Sequence, residues 1–385
     1  VFKAHYSRFL SAQPDRLHFA AHSHHLWPDV TRDAVVACWD DAARWADRKW
    51  EHVFEKVVPE AQAHVARLLD LSHPRDIAFA PSTHELVGRI LSCFEPGKRL
   101  RVLTTDSEFH SFARQAARLE EAGFAVERVP ALPFETFDRR FREAAAGGPW
   151  DLVYLSHVFF NSGFVVRDLE GIVRAVRDPA TVVVIDGYHS FCAIPVSLRG
   201  VEDRAFFLAG GYKYAQSGEG VCPLVMPHGC ALRPMNTGWF ATFGTLTRRQ
   251  PEKVQYSDDG FRFWGATYDP AGLYRFNAVM GWLQKIGMTI ERLDAWVRDL
   301  MEHFLKTLER LALPALPASS LVTPRSLERQ GHFLVFQLPD APRLFEALSE
   351  RGVDVDLRAD RLRFGFGLYQ DRSDVDRLAE RLRTL

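Results

Sequence analysis

Two ionisable residues stand where a solvated charge is out of place. Four apolar residues, Val182 to Ile185, end in Asp186, and His189 follows three positions on. After a second apolar run, Phe206 to Ala209, comes Gly210-Gly211-Tyr212-Lys213-Tyr214. A buried-type strand that delivers a carboxylate at its C-terminal end is where open α/β sheets place ligand groups. A lone lysine behind Gly-Gly, flanked by two tyrosines, is an unusual setting for a surface charge.

An amine and a carboxylate in this order suit one cofactor. Pyridoxal phosphate forms an imine with a lysine amine, and it needs a carboxylate to keep its pyridine nitrogen protonated so that the ring accepts electrons. Composition agrees with a globular enzyme. The chain has 385 residues, 47% hydrophobic and 25% charged, which favours two domains over one. A net charge of −1 removes the electrostatic case for a nucleic-acid binder. Five cysteines with no C-x-x-C pair argue against a disulfide framework or a zinc knuckle, and for a reducing cytoplasm. No apolar run reaches the ~20 residues of a membrane span, and no signal peptide is visible. The chain starts without methionine, which leaves room for a trimmed leader. His22-Ser23-His24-His25 puts three histidines in four residues, but adjacent side chains cannot easily converge on one ion, and no metal site is expected there.

The elements that must position Asp186 and Lys213 alternate. From Asp29 to Leu71 the pattern is helical, with Val35, Cys38, Trp39, Ala42, Trp45 and Ala46 as a stripe suited to core or subunit interface. Strands are expected at Ile77–Ala80, Leu100–Thr104, Phe124–Val129, Leu152–Leu155 and Val221–Met226. Helices are expected at 86–94, 136–146 and 168–176, and Ser82 or Thr83 is a natural N-cap. Long helices fill 271–311. The remainder, with strands at His332–Leu338, Val353–Leu357 and Leu362–Phe366 and helices at 341–351 and 372–383, reads as a small α+β domain. Such alternation implies a mostly parallel sheet covered on both faces. No G-x-G-x-x-G follows the first strand and no G-K-[ST] occurs, so Rossmann and P-loop readings lack their fingerprints.

Asp186-Gly187-Tyr188-His189 and Gly211-Tyr212-Lys213-Tyr214 with Gly218-Glu219-Gly220 resemble the class V aminotransferase group of pyridoxal-phosphate enzymes. Within it the chain looks most like kynureninases: Arg233-Pro234 through Gly238-Trp239-Phe240 is similar to their K-P-x-x-x-G-W-F, and His22-Ser23, Leu26 and Pro28 to their N-terminal N-S-L-G-L-x-P turn. The resemblance implies an aspartate-aminotransferase-like fold (fold type I), with an N-terminal arm at 1–28, a cofactor-binding large domain at 29–270 and a small C-terminal domain at 271–385. It implies that Lys213 carries the cofactor and acts as general base, and that Asp186 holds the ring nitrogen. His189 would support Asp186 or the ring oxygen, and Tyr212 would bind phosphate or relay a proton. Ser82, Thr83 and His84 would cup the phosphate at a helix N-terminus. His110, in an E-x-H-S segment like the E-H-H-A of desulfurases, would stack on the ring. Asn161 or Ser162 would touch the phenolic oxygen. Trp239 and Thr267 would reach the partner's site in a homodimer. Arg363, in R-x-x-x-x-x-Y, would clamp the substrate carboxylate, with His22 and Ser23 near the substrate.

The expected activity is therefore a kynureninase-like hydrolysis of a Cβ–Cγ bond that releases alanine from a small amino-acid substrate. The alternatives are a class V aminotransferase or lyase on another amino acid, or a non-catalytic binding protein on the same fold. Kynureninases carry an asparagine near the Phe261–Thr267 stretch that meets the substrate's aromatic ring, and this chain has none there. A cysteine desulfurase is disfavoured because no cysteine follows Cys230.

Overall fold

The computed structural model describes residues 2–242 and 253–385. At its centre lies a seven-stranded sheet. From one edge its strands run Ile77–Ala80, Cys222–Val225, Ala205–Leu208, Val182–Asp186, Leu152–Ser156, Arg101–Thr105 and Ala125–Val129. Every pairing is parallel except those of Cys222–Val225, which runs against both neighbours. Val182 to Ile185 and all of Leu152–Ser156 are buried, as strands covered on both faces must be. Ala125–Val129 closes one edge, and its alternation of exposed and half-buried residues ends in a buried Val129.

The parallel strands all point their C-terminal ends the same way. Ala80, Thr105, Ser156, Asp186 and Leu208 therefore deliver the segments that follow them to one rim. Asp186 sits mid-sheet, opposite Ser156 on one side and Leu208 on the other. Gly210 and Gly211 carry the chain from that rim to Lys213. A Cβ at Gly210 would collide with the Tyr188 ring, and one at Gly211 with Val221 and Ser217. The pair is thus a close-approach device.

A second, antiparallel sheet orders Asp356–Arg358, Arg361–Gly365 and Phe333–Gln337, packed with the Ile290–Leu311, Ala341–Glu350 and Arg372–Arg383 helices. The last helix starts in a capping box built on Asp371 and Asp374. The N-terminal residues join this region: Leu17–His18 pairs in parallel with Val353–Asp354, and Ala20 bridges to Gly365. Two-residue strands carry too little periodicity to be read from sequence.

The helical stretch after Asp29 is broken. Val30–Trp45 and Val58–Leu69 are α-helices, with 3-10 and π-type turns between them. Its aromatic stripe is not core within the single chain, since Trp39 is 71% exposed and Val35 and Val36 are exposed beside it. The buried apolar positions of this region are Ala34, Val53 and Val57 and, on Val58–Leu69, residues such as Ala61, Val65 and Leu69.

Candidate active site

A cavity of about 260 Å³ opens at the rim of the large sheet. Lys213 forms its floor. The side chain is 4% exposed, and its Nζ lies 2.8 Å from His189 Nε2. Three aromatic rings surround the amine: Tyr188 at 4.8 Å, Phe109 at 5.2 Å and Tyr212 at 5.8 Å from the ring centres. Burial, reinforced by the positive charge of Arg363, pushes the Lys213 amine down to about 7. Burial and the neighbouring Lys213 likewise hold His189 well below the usual imidazole range.

Asp186 faces the same cavity. Tyr154 donates its hydroxyl to Oδ2 at 2.8 Å, and the Tyr188 N–H donates to Oδ1 at 2.9 Å. Burial raises the carboxyl above its ordinary range, while these two donors and Lys213 oppose the rise. Tyr154 is itself fixed by face-to-face stacking on Phe112, with ring centres 3.4 Å apart. Behind it Glu108 is fully enclosed. It accepts from the Thr105 hydroxyl at 2.7 Å and from the Ser156 hydroxyl at 2.5 Å, and burial pushes it up to about 7.

At the far wall the Thr83–Leu91 helix begins. Ser82 caps it, its hydroxyl accepting from the Glu85 N–H at 3.2 Å. Ser82, Thr83 and His84 all line the cavity. The first N–H groups of a helix have no partner within it, which makes this wall suited to an anion.

Several expected residues are placed otherwise. His110 opens its helix on the exposed side and packs against Phe160; Phe109 is the residue that turns into the cavity. On the cavity lining Phe109 stands where His110 was expected, because the two side chains leave the loop-to-helix junction in different directions. Neither Asn161 nor Ser162 lines the cavity. The Asn161 amide donates to Ser107, and the Ser162 hydroxyl accepts from the Phe164 N–H in its own turn. Ser156, Val158 and Phe160 of that segment line it instead.

Arg363 lies behind Phe160. It is 2% exposed, pairs with the Asp356 carboxylate and donates to the Phe160 carbonyl at 2.7 Å. Its Nε has no hydrogen-bond partner. His22 is fully buried, stacked on Phe333 at 4.7 Å, with Nε2 3.7 Å from Asp356. Neither nitrogen of its ring makes a hydrogen bond. Ser23 contacts His24 and does not line the cavity, while His24 stacks on Tyr212 at 5.0 Å. Trp239 and Thr267 stand away from the cavity, the indole N–H donating to the Thr267 hydroxyl at 3.2 Å. Asp356 belongs to Asp356-Leu357-Arg358, which resembles the D-x-R that accompanies R-x-x-x-x-x-Y in the family, whereas Tyr154, Glu108 and Phe109 are site residues not expected from the sequence. Of these three only Phe109 had a local signal, as an aromatic next to the residue that was chosen.

The donor set suits a phosphorylated pyridine aldehyde. A helix start with free N–H groups, a buried carboxylate, a buried lysine of lowered pKa and an aromatic wall border one space. The profile of the aminotransferase class-V family matches residues 42–378. The chain belongs to that family. Among class-V relatives it is 27% identical to a kynureninase from Pseudomonas fluorescens over 58% of this chain and 53% of that enzyme, about half its length. It is 28% identical to a kynureninase from Burkholderia pseudomallei (strain K96243) over 75% of this chain and 71% of the other. Solved structures share the class-V fold at low identity. The apo cysteine desulfurase of Thermococcus onnurineus NA1 superposes with a TM-score of 0.80 at 18% identity, covering 97% of this chain and 96% of that one. The cystine C-S lyase C-DES, in complex with cysteine persulfide, also gives 0.80 at 18%, over 97% and 98%. The fold is that of the fold type I enzymes. Among the described residues no helix is long and apolar enough to cross a membrane, and all five cysteines are free.

Proposed function

We propose that this class-V enzyme uses pyridoxal 5'-phosphate to hydrolyse the Cβ–Cγ bond of an aryl-keto amino acid, releasing alanine. The observation that carries the reading is Phe109 on the cavity wall. Kynureninases carry an aromatic and an acid in this loop, where desulfurases carry a histidine; this chain has both Phe109 and His110, with Phe109 the one on the cavity lining, and the relatives named above are kynureninases. The cysteines also speak against a desulfurase. Cys222 alone lines the cavity, and burial pushes its thiol up to about 12, leaving it protonated and a poor nucleophile.

Pyridoxal phosphate bound here supplies an electron sink for bonds broken at the substrate α-carbon. The chain's own residues supply the rest. Lys213 would hold the cofactor and its Nζ would take the substrate's α-proton; its lowered pKa keeps the amine available as a base near neutrality. His189, 2.8 Å away, keeps the amine oriented. Asp186, itself steadied by Tyr154 and the Tyr188 N–H, would keep the ring nitrogen protonated. Ser82, Thr83 and His84 would take the phosphate. Arg363 is the proposed partner of the substrate carboxylate, with its unpaired Nε as the spare donor. The Phe109 and Tyr188 rings shield the amine from water.

A second reading keeps the cofactor and changes the substrate. No asparagine occurs between Phe261 and Thr267, where kynureninases meet the substrate's aromatic ring, and this favours a transaminase or lyase acting on another amino acid. The deciding experiment is to supply kynurenine and 3-hydroxykynurenine to the purified protein and follow alanine. Stoichiometric alanine supports the hydrolase. No alanine, with a spectral change on adding other amino acids, supports the second reading.

A further inference from the structure

We propose that His73, Asp76 and His228 form a binding site for one divalent transition-metal ion of the zinc class, at the end of the large sheet opposite the cavity. One potential ligand atom from each residue lies within 4.8 Å of the other two. Two imidazole nitrogens and a carboxylate oxygen are a donor set for zinc and its borderline neighbours rather than for calcium or magnesium. Metal–ligand bonds of about 2.0–2.1 Å in a tetrahedron hold ligand atoms about 3.4 Å apart, so the site closes once one of the two stacked rings turns out of the stack and brings its in-plane lone pair onto the ion.

The backbone has already assembled these groups. Asp76 ends the 3-10 turn Pro74–Asp76 that leads into Ile77–Ala80, and His228 follows the antiparallel neighbour Cys222–Val225. The Met226 N–H donates to the Asp76 carbonyl at 2.9 Å, the Asp76 N–H to the His73 carbonyl at 3.1 Å, and the His228 N–H to the Glu202 carbonyl at 2.9 Å. The His73 and His228 rings stack with centres 3.7 Å apart and planes 11° from parallel. Asp76 is 7% exposed, and its Oδ2 lies 2.8 Å from His228 Nδ1. Asp258 and Asp259 line the same open cavity, and among the described residues its lining holds one guanidinium, that of Arg75, which is turned onto Asp259 at 2.7 Å. The cavity, about 530 Å³, leaves room for a water as fourth ligand.

The ion would clip together the open ends of the antiparallel strand pair. The far end of Ile77–Ala80 leads to Ser82, and four residues of strand span about 13 Å. The clip is therefore structural and lies outside the chemistry. In sequence, His73 and Asp76 are a weak pair, and His228 is 152 positions from Asp76.

The test is equilibrium dialysis of tag-free holoenzyme against Zn²⁺ with metal analysis, alongside a His73→Asn/His228→Asn double variant. Wild type is expected to bind one ion per chain, with a melting temperature raised by the metal. The double variant is expected to bind at least about tenfold more weakly, to gain no thermal stability from Zn²⁺, and to keep wild-type activity. Metal-free melting temperatures and circular dichroism establish that the variant folds. Equal binding by both proteins, or no saturable binding by wild type, overturns the proposal.

Discussion

At Lys213, an amine 2.8 Å from a histidine and surrounded by aromatic rings has lost much of its reason to stay charged. The linkage has a definite sign. Unfolded, the amine holds its proton up to 10.5; folded, it releases it at about 7. Between these values the unfolded state binds more protons, so burying Lys213 costs most below pH 7 and progressively less toward 10.5. Cofactor-free Lys213→Met should therefore be more stable than the cofactor-free wild type at neutral pH, with the gap closing as pH rises through that window. Urea unfolding at a series of pH values measures it, and a gap independent of pH would refute the assignment. A second prediction separates neighbours. Aromatic stacking contributes roughly 0.5–1.5 kcal/mol, so Phe109→Ala should raise the cofactor dissociation constant about 2- to 13-fold. His110→Ala, on the exposed side, should leave it near wild type. Titration with pyridoxal phosphate followed by absorbance reads both, and the reverse order would return the stacking role to His110.

Among the elements, the antiparallel sheet delivers two arginines from alternate positions of Arg361–Gly365 with unequal duties. Arg363 is opposite Val335 and Asp356 in register, and it forms the buried pair with Asp356. Arg361 donates to the Asn161 carbonyl at 2.6 Å and is only part-buried. Removing Arg363 leaves the buried Asp356 with Arg358, at 2.5 Å, as its remaining ion-pair partner, so the cost stays below the ~3–5 kcal/mol of a fully stranded charge. Losing a single hydrogen bond from a part-buried side chain costs about 1 kcal/mol. Arg363→Ala should therefore lose both stability and kcat/KM, whereas Arg361→Ala should change each modestly. Denaturant midpoints and steady-state kinetics on the two variants decide. An Arg363→Ala protein as stable as wild type would show that Arg358 alone satisfies Asp356, and an active one would remove Arg363 from substrate binding.

On the scale of the molecule, Trp239 and Thr267 bond to each other away from the chain's own cavity, and an apolar face with Trp39 at 71% exposure lies open. Both fit a homodimer in which each chain completes the other's site. If so, mixing Lys213→Ala subunits with Trp239→Ala subunits should restore activity. Each heterodimer holds one intact site of two, and half the dimers in an equal random mixture are mixed, so recovery should reach roughly a quarter of wild type. Activity of the mixture after subunit exchange, with heterodimers verified by differential tagging, is the measurement. No recovery would place Trp239 within one chain's function.

Much of this was legible in the chain. Val182–Asp186 reads as a covered strand because apolar runs bounded by turn residues have few other solutions, and Asp186 at its end follows from counting. The Ser82 cap is equally local, since a hydroxyl before a helical run satisfies an N–H three residues on. What only the tertiary structure decided is direction and partnership. Whether Phe109 or His110 enters the cavity depends on the backbone angles at one junction, which neither residue type dictates. Tyr154 reaches Asp186 across 32 residues because two parallel strands are in register. Leu17–His18 joins Val353–Asp354 from the opposite end of the chain, and His228 meets Asp76 through a strand pairing. Periodicity and caps are properties of neighbouring residues and can be read in order. The pairs that build the site are set by packing between distant segments, and no local pattern encodes them.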